Sequence, residues 1–294
     1  MLTRIAPGVL QIDTLLGGWE RVTAGYLVEG PPPILVETGS QSSAPALLAA
    51  LAEHGVTPDG LAGVVVTHIH LDHAGGVGDV AAAFPDATVY VHPLGARHLA
   101  DPARLVDSAG RVYGDLLDSL YGRLRATEAH RIVALDDGDT VGTLTAVHSP
   151  GHAKHHLALH DEGSGLLFVG DAVGVKLPDV GVLRPATPPP DFDLDLALSS
   201  LRRFDERRPS ALALAHFGVV PDPPADALVE AADALRDWAS VAERAWRSGE
   251  DVEAALAARF GASHERVEIL NGIHSNAAGL RRWLDTRPPP ATGP

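Results

Sequence analysis

The 294-residue chain contains no cysteine. That excludes disulfides, thiolate metal ligands and a thiol nucleophile, so any metal must be held by imidazole and carboxylate. Lysine occurs only at Lys154 and Lys176, and 23 basic side chains face 38 acidic ones, a formal net charge of −15. Nucleic acid is excluded as the main partner, because phosphate contacts need clustered Lys and Arg. No apolar stretch approaches the roughly 18 residues of a membrane helix. The N-terminal MLTRIAPGVLQID lacks the basic start, apolar run and small-residue cleavage site of a secretory leader. The expectation is a soluble cytoplasmic protein that acts on a small molecule, with neither nucleic acid nor membrane as partner. The acidic balance is compatible with a homo-oligomer. No Gly-rich phosphate loop opens a helix, and no repeat of fixed period is present.

What is present is an ordinary globular composition, 45% hydrophobic and 21% charged, with 15 histidines. Short apolar runs bounded by Gly and Pro predict strands at Gly8–Asp13, Tyr26–Glu29, Ile34–Glu37, Gly63–Val66 and Val89–His92. Further strands are predicted at Arg131–Leu135, Thr143–Ser149, Leu157–His160, Leu166–Gly170 and Ala211–Phe217. Helices are predicted at Ser43–His54 and Asp193–Phe204. Between Asp101 and Arg125 the apolar positions recur at helical spacing, an insertion among the strands. After Pro224 the pattern is helical to Trp283, with breaks at Gly249 and Gly261. Residues 178–190 are Pro-rich and read as a surface loop, and the tail 287–294 as disordered.

The chemistry is concentrated in T-H-I-H-L-D-H-A-G-G, Thr67–Gly76, directly after the apolar strand Gly63–Val66. Loops at the C-terminal ends of such strands are where α/β proteins place their sites. His68 and His70 alternate along an extended segment, and Asp72 and His73 follow as the chain turns into a helix. Four imidazole or carboxylate groups in six residues have no packing rationale. Three other groups stand where an apolar strand runs out: His152 in S-P-G-H, Asp171 after L-L-F-V-G, and His216 after A-L-A-L-A. If all four loops meet at one sheet edge, they bring together His68, His70, Asp72, His73, His152, Asp171 and His216. Such N and O ligands suit zinc, iron, manganese or cobalt. Seven are too many for one tetrahedral ion and suit two ions that share a carboxylate.

H-x-H-x-D-H followed in order by a lone His, an Asp and a His resembles the metallo-β-lactamase superfamily, over roughly Gly8–Phe217. The resemblance implies an αβ/βα sandwich of two mixed sheets flanked by helices. It also implies that His68, His70 and His152 hold one ion, that Asp72, His73 and His216 hold the second, and that Asp171 bridges. The cofactors implied are two divalent ions, zinc first, with Fe, Mn or Co as alternatives. The motif S-P-G-H-A-K-H-H (Ser149–His156) is similar to lactonase and glyoxalase II-like hydrolases, in which His156 would support a ligand. Glu37, in V-E-T-G, would orient a metal-bound His. Gly174 stands where one lactonase branch has Tyr. The activity implied is hydrolysis of an ester, lactone or thioester carbonyl by a metal-bridging hydroxide, with Asp72 as the catalytic proton carrier. The alternatives are a mononuclear iron persulfide dioxygenase-like enzyme and a non-enzymatic binding protein on the same fold.

The domain reading is a catalytic unit over 1–221 with a helical insertion at 101–125, and a C-terminal helical extension over 222–286. The extension carries an apolar stripe, Leu228, Ala232, Leu235, Trp238, Val241 and Trp246, that must be buried. Three placements are open: a roof over the metal site beside the insertion, packing on the sandwich away from it, or pairing with another subunit. His92 reads as structural, and His54, His130, His160 and His264 as surface residues. Tyr113 and Tyr121 read as core of the insertion or as pocket wall. His148, His155 and His274 remain unassigned.

Overall fold

The computed structural model describes residues 2–261 and 265–287. His264 and the tail beyond Arg287 lie outside the described residues, so the expectations for them are not addressed. A seven-stranded sheet contains β1 (Leu2–Ala6), β2 (Val9–Asp13), β3 (Ala24–Val28), β4 (Ile34–Val36), β5 (Gly63–Val65), β6 (Thr88–Val91) and β7 (Ile132–Ala134), in that order. Its first half pairs antiparallel and β4–β5–β6–β7 pair parallel. The second, six-stranded sheet contains β8 (Thr140–Val141), β9 (Leu144–His148), β10 (Leu157–Asp161), β11 (Leu166–Gly170), β12 (Ala211–Leu214) and β13 (Gly218–Val219). Only β11 and β12 are parallel in it.

Alternation along the strands decides the layers. Tyr26, Val36, Val65, Leu157 and Phe168 join one core between the sheets. Their neighbours Leu27, Leu35 and Val64 face the helices outside the first sheet, and Ala158, Leu167 and Val169 those outside the second. The first helical layer includes α1 (Ala44–Glu53), α2 (Leu71–Ala74), α3 (Val77–Ala83), α4 (Pro93–Ala100) and α5 (Ala103–Tyr113). The second includes α6 (Leu194–Glu206), α7 (Pro224–Ser248), α8 (Val252–Phe260) and α10 (Ile273–Thr286), while α9 (Glu265–Asn271), between α8 and α10, packs Val267 and Leu270 on the core outside the first sheet. The αβ/βα sandwich expected from the sequence is the fold. Among the described residues no helix is long and apolar enough to cross a membrane.

Several local signals acted as read. Asp193 caps α6 by accepting from Leu196 N at 3.0 Å. Gly249 closes α7 in the left-handed conformation, φ 75°. Others were missed or altered. The helical insertion expected between Asp101 and Arg125 is α5 followed by a π-helical turn at Leu117–Tyr121. A further break at Gly272 separates α9 from α10. Most of the stripe of α7 is buried against α6, α8 and α10 on the outer face of the second sheet. Trp246, which the stripe included, is 39% exposed and donates its indole N–H to Asp285 at 2.8 Å. The long helix is therefore not the roof. Leu270, Asn271 and Ser275, from α9 and α10, are what reach the cavity described below, together with α5.

Candidate metal centre

The parallel pairs β4–β5 and β11–β12 point their C-terminal ends to one edge of the sandwich, and the named side chains stand on the loops there. His68, His70, Asp72 and His73 follow β5, His152 lies between β9 and β10, Asp171 follows β11, and His216 follows β12. Gly170 lets β11 approach β5. Its φ is +49°, and a Cβ there would lie 2.5 Å from His156 Nε2 and 2.6 Å from Thr67 Oγ1.

The structure brings all seven sequence-predicted residues together. The ligand atoms of His68, His70 and His152 lie within 4.8 Å of one another, as do those of Asp72, His73 and His216, and those of His68, His73 and Asp171. Asp171 faces both sides of the cluster. Its Oδ1 is 3.3 Å from His73 Nε2 and 3.3 Å from His216 Nε2, and its Oδ2 is 3.6 Å from His152 Nε2. Oδ1 is buried and has no hydrogen-bond partner. Asp72 Oδ2 is 3.5 Å from His216 Nε2 and 3.7 Å from His73 Nε2.

The rings are held from behind. His73 Nδ1 is 2.9 Å from Glu37 Oε2, His152 Nδ1 donates to Ala186 O at 3.0 Å, and His216 Nδ1 donates to Val22 O at 2.9 Å. His68 Nδ1 is 3.0 Å from Thr67 Oγ1. In each case Nε2 is left for the cluster, the orientation that metal-binding histidines need. Glu37 is 2% exposed, has φ 63°, and also accepts from Thr67 N at 2.6 Å. One buried carboxylate thus ties the end of β4 to the first residue of the motif. His156 and His155 act on the backbone. His156 Nε2 accepts from Asp171 N at 3.3 Å, and His155 Nε2 accepts from Ile69 N at 3.2 Å.

Electrostatics divides the cluster. Burial, followed by the neighbouring imidazoles, pushes His70 down to about 4 and His68 well below its ordinary value. Burial lowers His152 too. For His73 and His216 burial also opposes the charged ring, but the carboxylates outweigh it, Asp171 most strongly, and both are raised. The Asp72–His73–His216 side therefore attracts positive charge.

The other residues singled out from the sequence sort as follows. Tyr113 lines a cavity of about 220 Å³ over the cluster, and the buried Tyr121 packs behind it, ring centroids 4.4 Å apart and tilted by 34°. His92 accepts from Leu94 N at the start of α4 and stacks on His148 at 4.8 Å, and neither is among the clustered ligands. His274 is exposed and pairs with Glu253 at 2.8 Å, outside both core and cavity. His160, read as a surface residue, is buried on β10 at 8% exposure. Sequence reasoning gave no role to Thr67, although it opens the motif, and missed the carbonyls of Ala186 and Val22, which carry no sequence signal.

Comparison with known proteins is consistent with this geometry. The family model described as the metallo-beta-lactamase superfamily matches residues 17–216. A metallo-beta-lactamase fold-containing protein of Sulfurisphaera tokodaii is 28% identical over 164 residues, which cover 53% of this chain and 60% of that protein. A hydroxyacylglutathione hydrolase of Aeromonas hydrophila is 32% identical over 114 residues, 37% of this chain and 32% of its own length. An acyl-coenzyme A thioesterase of Homo sapiens is 29% identical over 118 residues, 37% of this chain and 40% of its own. The chain thus spans between 32% and 60% of the length of these relatives. Among solved structures, an archaeal superfamily protein from Sulfolobus tokodaii superposes with a TM-score of 0.70 at 23% identity, covering 93% of this chain and 98% of that one.

Proposed function

We propose, for a chain that belongs to the metallo-beta-lactamase superfamily, that the seven-residue cluster binds two divalent cations, zinc by its ligand chemistry, and hydrolyses an ester, lactone or thioester. The observation that carries this reading is Asp171, a buried carboxylate that faces both imidazole groups and has an oxygen without a hydrogen-bond partner. A buried unpaired oxygen among inward-facing ring nitrogens fits a missing cation and little else. When bound, such a pair of ions supplies a water deprotonated near neutral pH and polarises a carbonyl.

The chain's own groups do the rest. Hydrolysis forms a carbon–oxygen bond to water, breaks the bond to the leaving oxygen or sulfur, and moves one water proton to that atom. Asp72 lines the cavity and is partly exposed, so it carries that proton. Leu105, Ala109, Val112 and Leu270 line the same cavity and offer an apolar acyl chain a place out of water. The S-P-G-H-A-K-H-H segment and the relatives named for acylglutathione and acyl-coenzyme A hydrolysis support the glyoxalase II-like branch over a β-lactamase.

The deciding experiment is metal analysis of the purified chain, followed by assay against lactones, thioesters, phosphoesters and β-lactams. Two zinc-like ions per chain and chelator-sensitive cleavage of a lactone or thioester are expected. One redox-active iron per chain, or no hydrolysis by fully loaded protein, would overturn the reading.

The divided electrostatics predicts how metal is lost on acidification. His73 and His216 have raised affinity for protons and stay protonated to higher pH. As pH falls, protons therefore displace metal first from the Asp72–His73–His216 group. His68, His70 and His152 have lowered affinity and keep their ion further into acid. Equilibrium dialysis from pH 8 to pH 5 should show two steps of metal loss, and His216→Ala should abolish the first. A single step in the unsubstituted chain would contradict this assignment.

A further inference from the structure

The carbonyl that holds His152 stands in a loop with few means of holding itself. Residues 185–190 read P-A-T-P-P-P, and the four prolines have no backbone N–H to donate. What fixes the loop comes from α10. Asn276, fully buried there, accepts on Oδ1 from Thr187 N at 2.6 Å and from Thr187 Oγ1 at 2.8 Å. Its amide nitrogen donates to Asn271 Oδ1 at 2.8 Å and to Gly272 O at 3.1 Å. Asn271 Nδ2 in turn donates to Pro185 O at 2.9 Å. Ala186 lies between the two anchored residues, and its carbonyl is the one that accepts from His152 Nδ1 at 3.0 Å. Gly279, one turn further along α10, permits the close approach, because a Cβ there would overlap Thr187 O. An apolar side chain would bury this face of α10 as well as Asn276 does. What the amide adds is a fixed place for a loop that cannot bond to itself.

We propose that Asn276 is a positioning residue for one half of the metal centre: through Thr187 it places the Ala186 carbonyl, and that carbonyl orients the His152 ring. The C-terminal extension then sets the metal affinity of the His68–His70–His152 group without setting that of the Asp72–His73–His216 group. This rests on the metal-binding reading above. The selectivity follows from connectivity. The supports of His216 and His73 are Val22 O, before β3, and Glu37, after β4, so both belong to chain segments of the first sheet. His152 alone among the ligands is held by the loop that α10 anchors. Turning its ring removes one ligand of three from one group only.

The test isolates each group in the full chain. His216→Ala leaves the His68–His70–His152 group to bind zinc, and His70→Ala leaves the Asp72–His73–His216 group. Added to the first, Asn276→Ala should weaken zinc binding about 10–100-fold, read by titration. Added to the second, it should change affinity by less than about threefold, the margin for independent sites. Gly279→Ala pushes the same loop off α10 through a different atom and should repeat that pattern. Thr187→Val keeps the N–H and loses the hydroxyl, so it should give a smaller loss in the first chain only, and it carries the test if Asn276→Ala does not fold. Trp246→Phe loosens α10 at its Asp285 contact, away from the loop, and should move neither affinity. A metal-free readout comes from imidazole nitrogen NMR. His152 should carry its proton on Nδ1 in the unsubstituted chain, and Asn276→Ala should populate the Nε2–H tautomer while Trp246→Phe does not. Equal weakening of both groups, or unmoved zinc affinity of the His68–His70–His152 group in the folded variants, would overturn the proposal. If neither single-group chain nor the unsubstituted chain binds zinc, yet the His152 tautomer follows Asn276, the metal reading falls and the positioning of the ring stands.

Discussion

Asp171→Ala is expected to remove the second metal and most of the activity. Asp171 Oδ1 is equidistant, at 3.3 Å, from the ring nitrogens of His73 and His216, and the other oxygen faces His152. Without the shared carboxylate, two cations close together would be left with Asp72 as the one anionic group of the cluster, in a buried site where their repulsion is poorly screened. Loss of a residue that merely orients a metal ligand costs about 10–100-fold in affinity or activity. A residue shared by both groups should exceed the upper end of that range. Metal analysis should find one ion or fewer per chain, with hydrolysis down by more than about a hundredfold. Circular dichroism should be unchanged, because Asp171 lies in a loop after β11 and its structural hydrogen bonds are made by its backbone, N–H to His156 and C=O from Gly174 N, which alanine keeps. Wild-type metal content and rate in this variant would place Asp171 outside the metal shell.

Glu37→Ala should weaken both the fold and the metal site. The buried carboxylate accepts from Thr67 N at 2.6 Å and meets His73 Nδ1 at 2.9 Å. Its removal leaves a buried donor unsatisfied, a loss of about 1–3 kcal/mol. For a chain of this size that corresponds to a Tm lower by roughly 2–5 °C. It also frees the His73 ring, so metal affinity at the Asp72–His73–His216 group should fall about 10–100-fold. Glu37→Gln separates the two effects. Its amide oxygen still accepts from Thr67 N, so the Tm should fall less. Its NH2 then meets His73 Nδ1, which favours the tautomer with a proton on Nε2, pointing into the cluster, and metal affinity should still fall. Calorimetric unfolding and metal titration of the two variants check this. A Glu37→Gln chain with wild-type affinity would show that His73 orientation does not depend on the carboxylate.

The parts of the site legible in the sequence are those set by local chain direction. His68, His70, Asp72 and His73 occupy six consecutive residues at the end of a buried strand, and an extended segment turning into a short helix can hardly scatter them. The same holds for the strands themselves, whose apolar alternation reports a face to be buried. His152, Asp171 and His216 were legible as ligand types at strand ends, but no local rule brings strand ends together. Their meeting depends on which strands pair and in which sense, above all on β11 and β12 running parallel with their ends toward β5. The fold family, recognised from motif order, supplied that information, which periodicity alone did not.

Other features were decided by tertiary structure. The stripe of α7 demanded burial but could not choose a partner, because any apolar face of the right shape satisfies it. The second sheet and α6 took it, and the cavity wall was left to α5 and a few residues around Gly272. The carbonyls of Ala186 and Val22 became ring acceptors through position alone, since every residue carries one. The total charge of −15 hid the gathering of Arg97 and Arg104 beside one groove, because a sum over the chain says nothing about where cations gather. The sequence by itself determined the ligand inventory and the strands that present it. Tertiary structure decided which edge they share, what supports them from behind and what lies on either side, because those depend on long-range pairing and packing that no short stretch of chain encodes.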